Sequence, residues 1–500
     1  MSARLRLAGA ILWLALNSLS ALAGTAATQP LRIHTVPIVN QDHFLAAVLA
    51  KQDETAARVA EITAHHGDAV IRAAREGHAD LIITHVDFAG SQQLLQQGLL
   101  NAGAVVFANP VALIGPANAP AEVARAKTIE QAHAAIRNAG GCLRENALEH
   151  LRQFHDAALR CSPSDDGATG LGAVLAALGK GQYVWWGLHP FLMAEGALGG
   201  RGQAFVPPDP RVLRPLMAWP VSSADSARAQ RVIEALRSAE AQAAVSAFRR
   251  PGSPDRQVWW PVSALDRLRA IENRGHTIVA VKNDVARAAG SHRDPAHEAK
   301  RAFEVRLAQA LARVLPGNPE ALELRVLRKV QRLPAVAGGE VDLGISMFRP
   351  ENGARRLTAF SRPYYRDGLS ILQQKGHAQP ALATARLLAL AKDQEDWRED
   401  LRLLGRDPNT VVTVQSVEDA ARRVETGAAD GFIAPRVNLR VWLDAQKQPR
   451  ALQISPIVVS HEFAVALPLD NPLLKQRVDE EIERLASAGT LAQWRQEAGL

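Results

Sequence analysis

Gly338-Gly339-Glu340-Val341-Asp342-Leu343 reads as a turn, an acidic residue and the opening of an apolar strand. A near copy stands far upstream, Gly77-His78-Ala79-Asp80-Leu81-Ile82. Around each phrase, short apolar runs alternate with amphipathic stretches. In the first half Leu31–Val36 and Ala79–Thr84 read as strands, and Asp42–Lys51, Ala69–Gly77 and Ser91–Gln97 as helices. In the second half Thr277–Val281, Leu324–Val326 and Val341–Ile345 read as strands, and Ala296–Val314 as a long helix. Such alternation predicts an α/β architecture with a largely parallel sheet. Its recurrence predicts two domains of similar type, 24–262 and 263–500, that meet near Val262.

Composition narrows the class. The chain has 500 residues, 47% hydrophobic and 22% charged, which excludes a disordered or collagen-like protein. The net charge of +7 comes from 58 basic and 51 acidic residues, and only 10 of the basic ones are lysine. The arginines are scattered through helical stretches, so no nucleic-acid partner is expected. No zinc-finger or P-loop motif is present, and no cofactor is expected.

The first residues specify a destination. Arg4 and Arg6 precede an apolar run from Leu7 to Leu16, and Ala21-Leu22-Ala23 offers a cleavage site before Gly24. This is the pattern of a secretory signal over residues 1–23, too short for a comfortable membrane span. The expected product is soluble, periplasmic and not inserted in the membrane. Cys142 and Cys161 flank a stretch read as helical, Glu145–Leu159. An oxidising compartment favours their pairing, with two buried free thiols as the alternative.

Gly338–Leu343, followed by Phe360-Ser361-Arg362-Pro363-Tyr364-Tyr365, resembles the solute-binding protein family 3. The phrase Glu425–Gly431 and the tail Ala486–Leu491 extend the resemblance over about Ala264–Leu500. The first half, Leu31–Pro261, resembles the tungstate- and related oxyanion-binding periplasmic proteins. That likeness rests on Gly77–His85, Asn109-Pro110-Val111-Ala112-Leu113-Ile114-Gly115-Pro116, Gly170-Leu171-Gly172 and Trp259-Trp260-Pro261. Both resemblances imply the two-lobed type 2 periplasmic-binding fold, with a ligand cleft between lobes in each domain.

Candidate ligand residues follow. In the first domain they are Thr35 as hydroxyl donor, His85, the cation Arg144, and Gly170 and Gly172 at a helix start, where free N–H groups suit an anion. A less favoured reading gathers His34, His65, His66 and His85 with Asp68 or Asp87 around a metal. In the second domain the resemblance places Ala354 where the family has an arginine and Pro435 where it has an aspartate. Arg349 and Arg355 are the expected substitutes, as bidentate donors, with Asn283 as an amide contact. The acidic Asp393-Gln394-Glu395-Asp396 would repel a carboxylate.

The expected function is non-enzymatic capture of a small-molecule ligand for a membrane permease of the ABC type. An accessory protein docking on a periplasmic enzyme or receptor, such as a quinoprotein dehydrogenase, is the first alternative. A dehydratase on the same fold is the second.

Overall fold

The computed structural model describes residues 30–50, 60–145, 149–162, 168, 170–222, 226–282, 295–391, 397–446, 450–498 and 500. The expected signal segment, Asn283, Asp393, Glu395 and Asp396 lie outside these residues. Among the described residues no helix is long and apolar enough to cross a membrane. By compactness the chain divides into two units. The first holds the residues up to Thr84, Gly90–Val106 and Met217–Gln257; the second holds His85–Ala89, Phe107–Leu216 and Val258–Leu500.

Among the described residues ten strands precede Val262. They are β1 Leu31–Thr35, β2 Ala60–Ala64, β3 Leu81–His85, β4 Ala104–Pro116, β5 Leu143–Arg144, β6 Tyr183–Gly187, β7 Gly202–Phe205, β8 Leu213–Pro220, β9 Arg249–Arg250 and β10 Ser253–Gln257. Among the described residues nine follow it: β11 Thr277–Lys282, β12 Leu322–Leu327, β13 Leu343–Phe348, β14 Ala359–Gln374, β15 Leu387–Leu390, β16 Val412–Val414, β17 Gly431–Pro435, β18 Leu452–Ile454 and β19 Val459–Leu467.

In the first unit β1 lies between β2 and β3, parallel to both. In the second unit β4 pairs antiparallel with β6 and β7, and β6 pairs parallel with β5. The later sheet runs β12-β11-β13-β19-β14-β17-β15-β16, with β18 on β14. Strand for strand, β2-β1-β3 answers β12-β11-β13, and β4-β6-β5 answers β14-β17-β15. The expected α/β class is therefore present in both halves, with the same strand order in each. The pairs β1–β2, β1–β3, β11–β12 and β11–β13 are parallel, which requires the crossover helices that the periodicity indicated.

The second domain has two lobes with separate cores. Its proximal lobe packs Phe303, Leu307, Leu311, Val478 and Ile482 on one face of the sheet and Val336, Val341 and Ala464 on the other. Its distal lobe packs Leu387, Leu401, Val424, Phe432 and Ile433. The 16-residue β14 serves both lobes, pairing with β19 from Ala359 to Leu369 and with β17 from Leu369 to Leu372.

The recurrent acidic phrase has a structural cause. Asp80 accepts the Arg32 N–H at 2.9 Å, Asp342 the Ile278 N–H at 2.7 Å, and Asp430 the Arg386 N–H at 2.7 Å. Each aspartate returns its own N–H to the carbonyl of the same residue, at 2.9, 2.9 and 3.0 Å respectively. An arginine neutralises each carboxylate: Arg32, Arg274 and Arg386. The phrase therefore fixes the register between two parallel strands, since a one-residue slip would strand the carboxylate. Gly339 completes it with φ +78°, and a Cβ there would lie 2.1 Å from the Arg267 guanidinium.

The motif Phe360–Tyr365 is also read by backbone chemistry. Pro363 cannot donate to the ladder, and the β14–β19 register shifts around it. Ser361 compensates, its Oγ accepting the Val465 N–H at 2.9 Å.

The corresponding register position before β6 is Gln182, opposite Cys142. Here Cys142 is joined to Cys161 by a disulfide, as expected. The Leu143 N–H reaches the Leu159 carbonyl at 2.7 Å, and its carbonyl takes the Cys161 N–H at 3.0 Å. Closing a loop of this length contributes about 3 kcal/mol in the chain-entropy model. A Cys142→Ser, Cys161→Ser variant is expected to lose that much stability by denaturant titration. Alkylation of the unfolded, unreduced parent should label neither cysteine.

Two local expectations are corrected. Asp42–Lys51 is α-helical only over Phe44–Leu49, because Asp42 and His43 turn the chain at φ 54° and 56°. Between the cysteines the described residues form a 3-10 helix, Glu149–Phe154, rather than an α-helix.

Candidate functional site

In parallel-sheet folds ligands bind beyond the carboxyl ends of strands, because helix N-termini and loops converge there. In the second domain β13 ends in that position. Met347 takes φ 46°, a left-handed conformation costly for a side chain with a Cβ, and its N–H is held by the Tyr364 hydroxyl at 3.2 Å. Burial, then the nearby Glu304 carboxylate, raises the Tyr364 phenol well above its usual range, so it stays protonated. This pinned turn presents Arg349.

The Arg349 guanidinium meets partners on three elements. Its Nη1 donates to Asp400 Oδ2 at 2.7 Å and lies 3.0 Å from His461 Nε2, while Nε is 2.6 Å from Glu351 Oε1. Asp400 belongs to the helix Arg398–Leu403 of the distal lobe, and His461 to β19. His461 Nε2 is also 3.1 Å from Asp400 Oδ2, so it faces a donor and an acceptor together. A ring carrying its proton on Nδ1 accepts from Arg349; one carrying it on Nε2 donates to Asp400.

Electrostatics follow the geometry. Burial pushes the Asp400 carboxyl up, but hydrogen bonding and charge from His461 and Arg349 outweigh it, and the net shift is down. Glu351 moves the other way: burial, with Glu399 and Asp400 nearby, raises it despite Arg349.

Arg355 is placed differently. It is exposed, and its Nε donates to the Pro350 carbonyl at 2.7 Å, closing its own loop. Ala354 lies in the short helix Asn352–Arg355, and Pro435 ends β17 before the helix Arg436–Asp444. Neither carries a group able to pair an ammonium or a carboxylate. Asp430, from the phrase Glu425–Gly431, holds register with Arg386 instead of facing a ligand.

The first-domain candidates fall in both compact units. In the first unit Thr35 ends β1, fully buried, and its hydroxyl donates to the Ile83 carbonyl at 3.1 Å. His34 and His65 stack there at 5.6 Å between ring centroids. Burial and then His65 lower the His34 pKa, favouring the neutral ring. In the second unit His85 Nε2 lies 2.8 Å from Asn109 Oδ1, so two motifs of the first half meet each other. Arg144 is buried on β5. Gly170, at φ +53°, opens the helix Gly170–Gly179, and among the described residues a Cβ at Gly172 would meet Ala168 at 3.8 Å. Asp87 pairs with Arg214 at 3.1 Å. Among the described residues no three His, Cys, Asp or Glu side chains gather as a metal site.

Asp400, Glu351 and His461 were not singled out from sequence. The one available signal was an acidic residue in the helix that follows β15.

Residues 300–498 match the model of the bacterial extracellular solute-binding proteins, family 3. The match runs from the long helix Pro295–Val314 to the closing helix Thr490–Glu497. The glutamine-binding protein of Geobacillus stearothermophilus is 22% identical over 184 residues, 36% of this chain and 68% of that protein. Among solved structures, the ancestral cationic amino acid solute-binding protein AncCDT-1 is 19% identical, covering 47% of this chain and 99% of its own, with TM-score 0.36. The L-cysteine receptor of Neisseria gonorrhoeae is 18% identical, covering 46% and 92%, with TM-score 0.34.

Proposed function

We propose that this chain is a periplasmic solute-binding protein that captures a small ligand and delivers it to an ABC-type permease. The observation that carries this reading is the family match across 300–498, which spans both lobes and the shared strand β14. Two lobes with separate cores, joined by long strands, suit capture by hinge closure. Export by a signal over 1–23 and two ligand-binding domains, 24–262 and 263–500, complete the proposal. The first domain would take a small ligand through His85, Arg144 and the Gly170–Gly172 helix start, which lie in the same compact unit. The second would take its ligand near Arg349. The protein acts without catalysis.

A ligand that binds only the folded state stabilises it by mass action, about 2.7 kcal/mol at one hundred times its Kd. In a thermal-shift screen of the full chain against tungstate, phosphate, amino acids, polyamines and divalent metals, at least one class is expected to raise Tm by several degrees. Flat curves for every class would overturn the transport reading.

One observation favours the accessory-protein reading instead. Arg349, the best-placed cation of the second cleft, is already engaged by Asp400, Glu351 and His461. A domain whose cleft groups satisfy each other can serve as a docking module for a periplasmic enzyme or receptor, and co-purification of such a partner would then replace ligand binding.

A further inference from the structure

We propose that the Arg349–Asp400 ion pair is a latch across the second domain's cleft, which must break before the lobes can part. Arg349 belongs to the proximal lobe, following β13, and Asp400 to the distal lobe, so the pair joins the two bodies that a hinge would separate. Their side chains are 24% and 8% exposed, and His461, between them, is 12% exposed. A pair so shielded is weakened by water and salt far less than an exposed one.

The latch is pre-organised on both sides. On the proximal side Tyr364 fixes the Met347 turn, and Glu351 holds the guanidinium through Nε, leaving Nη1 for Asp400 and His461. On the distal side Asp400 sits in the first turn of Arg398–Leu403, against the core that contains Leu401. His461 stands on β19, near its pairing with β14 where that strand passes from one lobe to the other. Parting the lobes carries Asp400 away from Arg349, which keeps Glu351, and takes the guanidinium from a carboxylate that is 8% exposed. The open form is disfavoured until water or a solute replaces the pair. This inference deepens the solute-capture reading, resting on it only for what opening serves. The latch itself is measured without any solute.

The test is the distance between lobes in the full chain, oxidised so that Cys142 and Cys161 stay paired. Val330 on the proximal lobe and Val412 on the distal lobe, 74% and 52% exposed, accept spin labels as Val330→Cys and Val412→Cys. The parent is expected to give one narrow distance distribution by pulsed electron resonance. Arg349→Ala and the near-isosteric Asp400→Asn should each add a longer-distance population, and Arg349→Lys a smaller one. Circular dichroism identifies the folded variants, and any one of the three suffices. A folded Arg349→Ala or Asp400→Asn protein with the parent's distribution would overturn the latch. Longer distances with a flat ligand screen would instead overturn solute capture and leave the latch standing.

Discussion

Asp342→Ala is expected to destabilise the second domain by about 3–5 kcal/mol, the usual cost of removing one member of a buried ion pair. Asp342 is wholly buried, and its partner Arg274 has a side chain only 2% exposed. The substitution removes the acceptor for the Ile278 N–H and leaves the Arg274 guanidinium charged, desolvated and unpaired. It also frees the β11–β13 register that the carboxylate fixes. The measurement is denaturant unfolding of the full chain, read as separate transitions because a two-domain chain need not unfold in one step. Asp342→Asn should recover the backbone contact but not the charge, and fall between. A loss below about 1 kcal/mol for the alanine variant, the scale of an exposed pair, would refute this account.

Arg211→Ala is expected to cost a similar amount, about 3–5 kcal/mol, in the part of the chain that precedes Val262. Arg211 is 5% exposed and holds Asp209 at 2.6 Å and both Glu130 oxygens at 2.8 Å. Burial alone would push both carboxyls up; the hydrogen bonds and charge of Arg211 outweigh it and lower both. The sign of the pH effect follows. Carboxylates depressed in the folded state contribute stability that is full above their unfolded pKa, about 4, and is lost as pH falls through the folded values. The parent should therefore lose stability below about pH 4 through this knot, and Arg211→Ala should show a flatter acid limb. An unchanged limb would mean that Arg211 does not set these two carboxyls.

The fold was legible because its determinants are local. Gly77–Ile82 and Gly338–Leu343 announce a turn, a register-fixing aspartate and a buried strand within a few residues, and the periodicity on either side supplies the helices. The same phrase in the distal lobe, ending at Asp430, was recognised only by resemblance, although the physical device is identical. The candidate site was less legible. Arg349 was picked out by its place after β13, but Asp400 and His461 lie 51 and 112 residues further along. Only the closure of two lobes brings them together, and no spacing rule reports that. Arg355, chosen for standing one position from the family's arginine, faces its own loop because the short helix Asn352–Arg355 turns it there.

The strand start beside β6 is held by a covalent bond where three other strand starts are held by a carboxylate. Acid discharges a carboxylate but leaves a disulfide alone; a thiol reductant does the reverse. The strand starts of Arg32 and Arg386, whose aspartates Asp80 and Asp430 are both held below the usual carboxylate range, should therefore loosen on acidification, and that of Leu143 on reduction. Hydrogen exchange at these three positions, below about pH 4 and under reductant separately, would yield two non-overlapping maps. A chain built this way has two independent chemical handles, and each releases a part of the molecule that the other leaves in place.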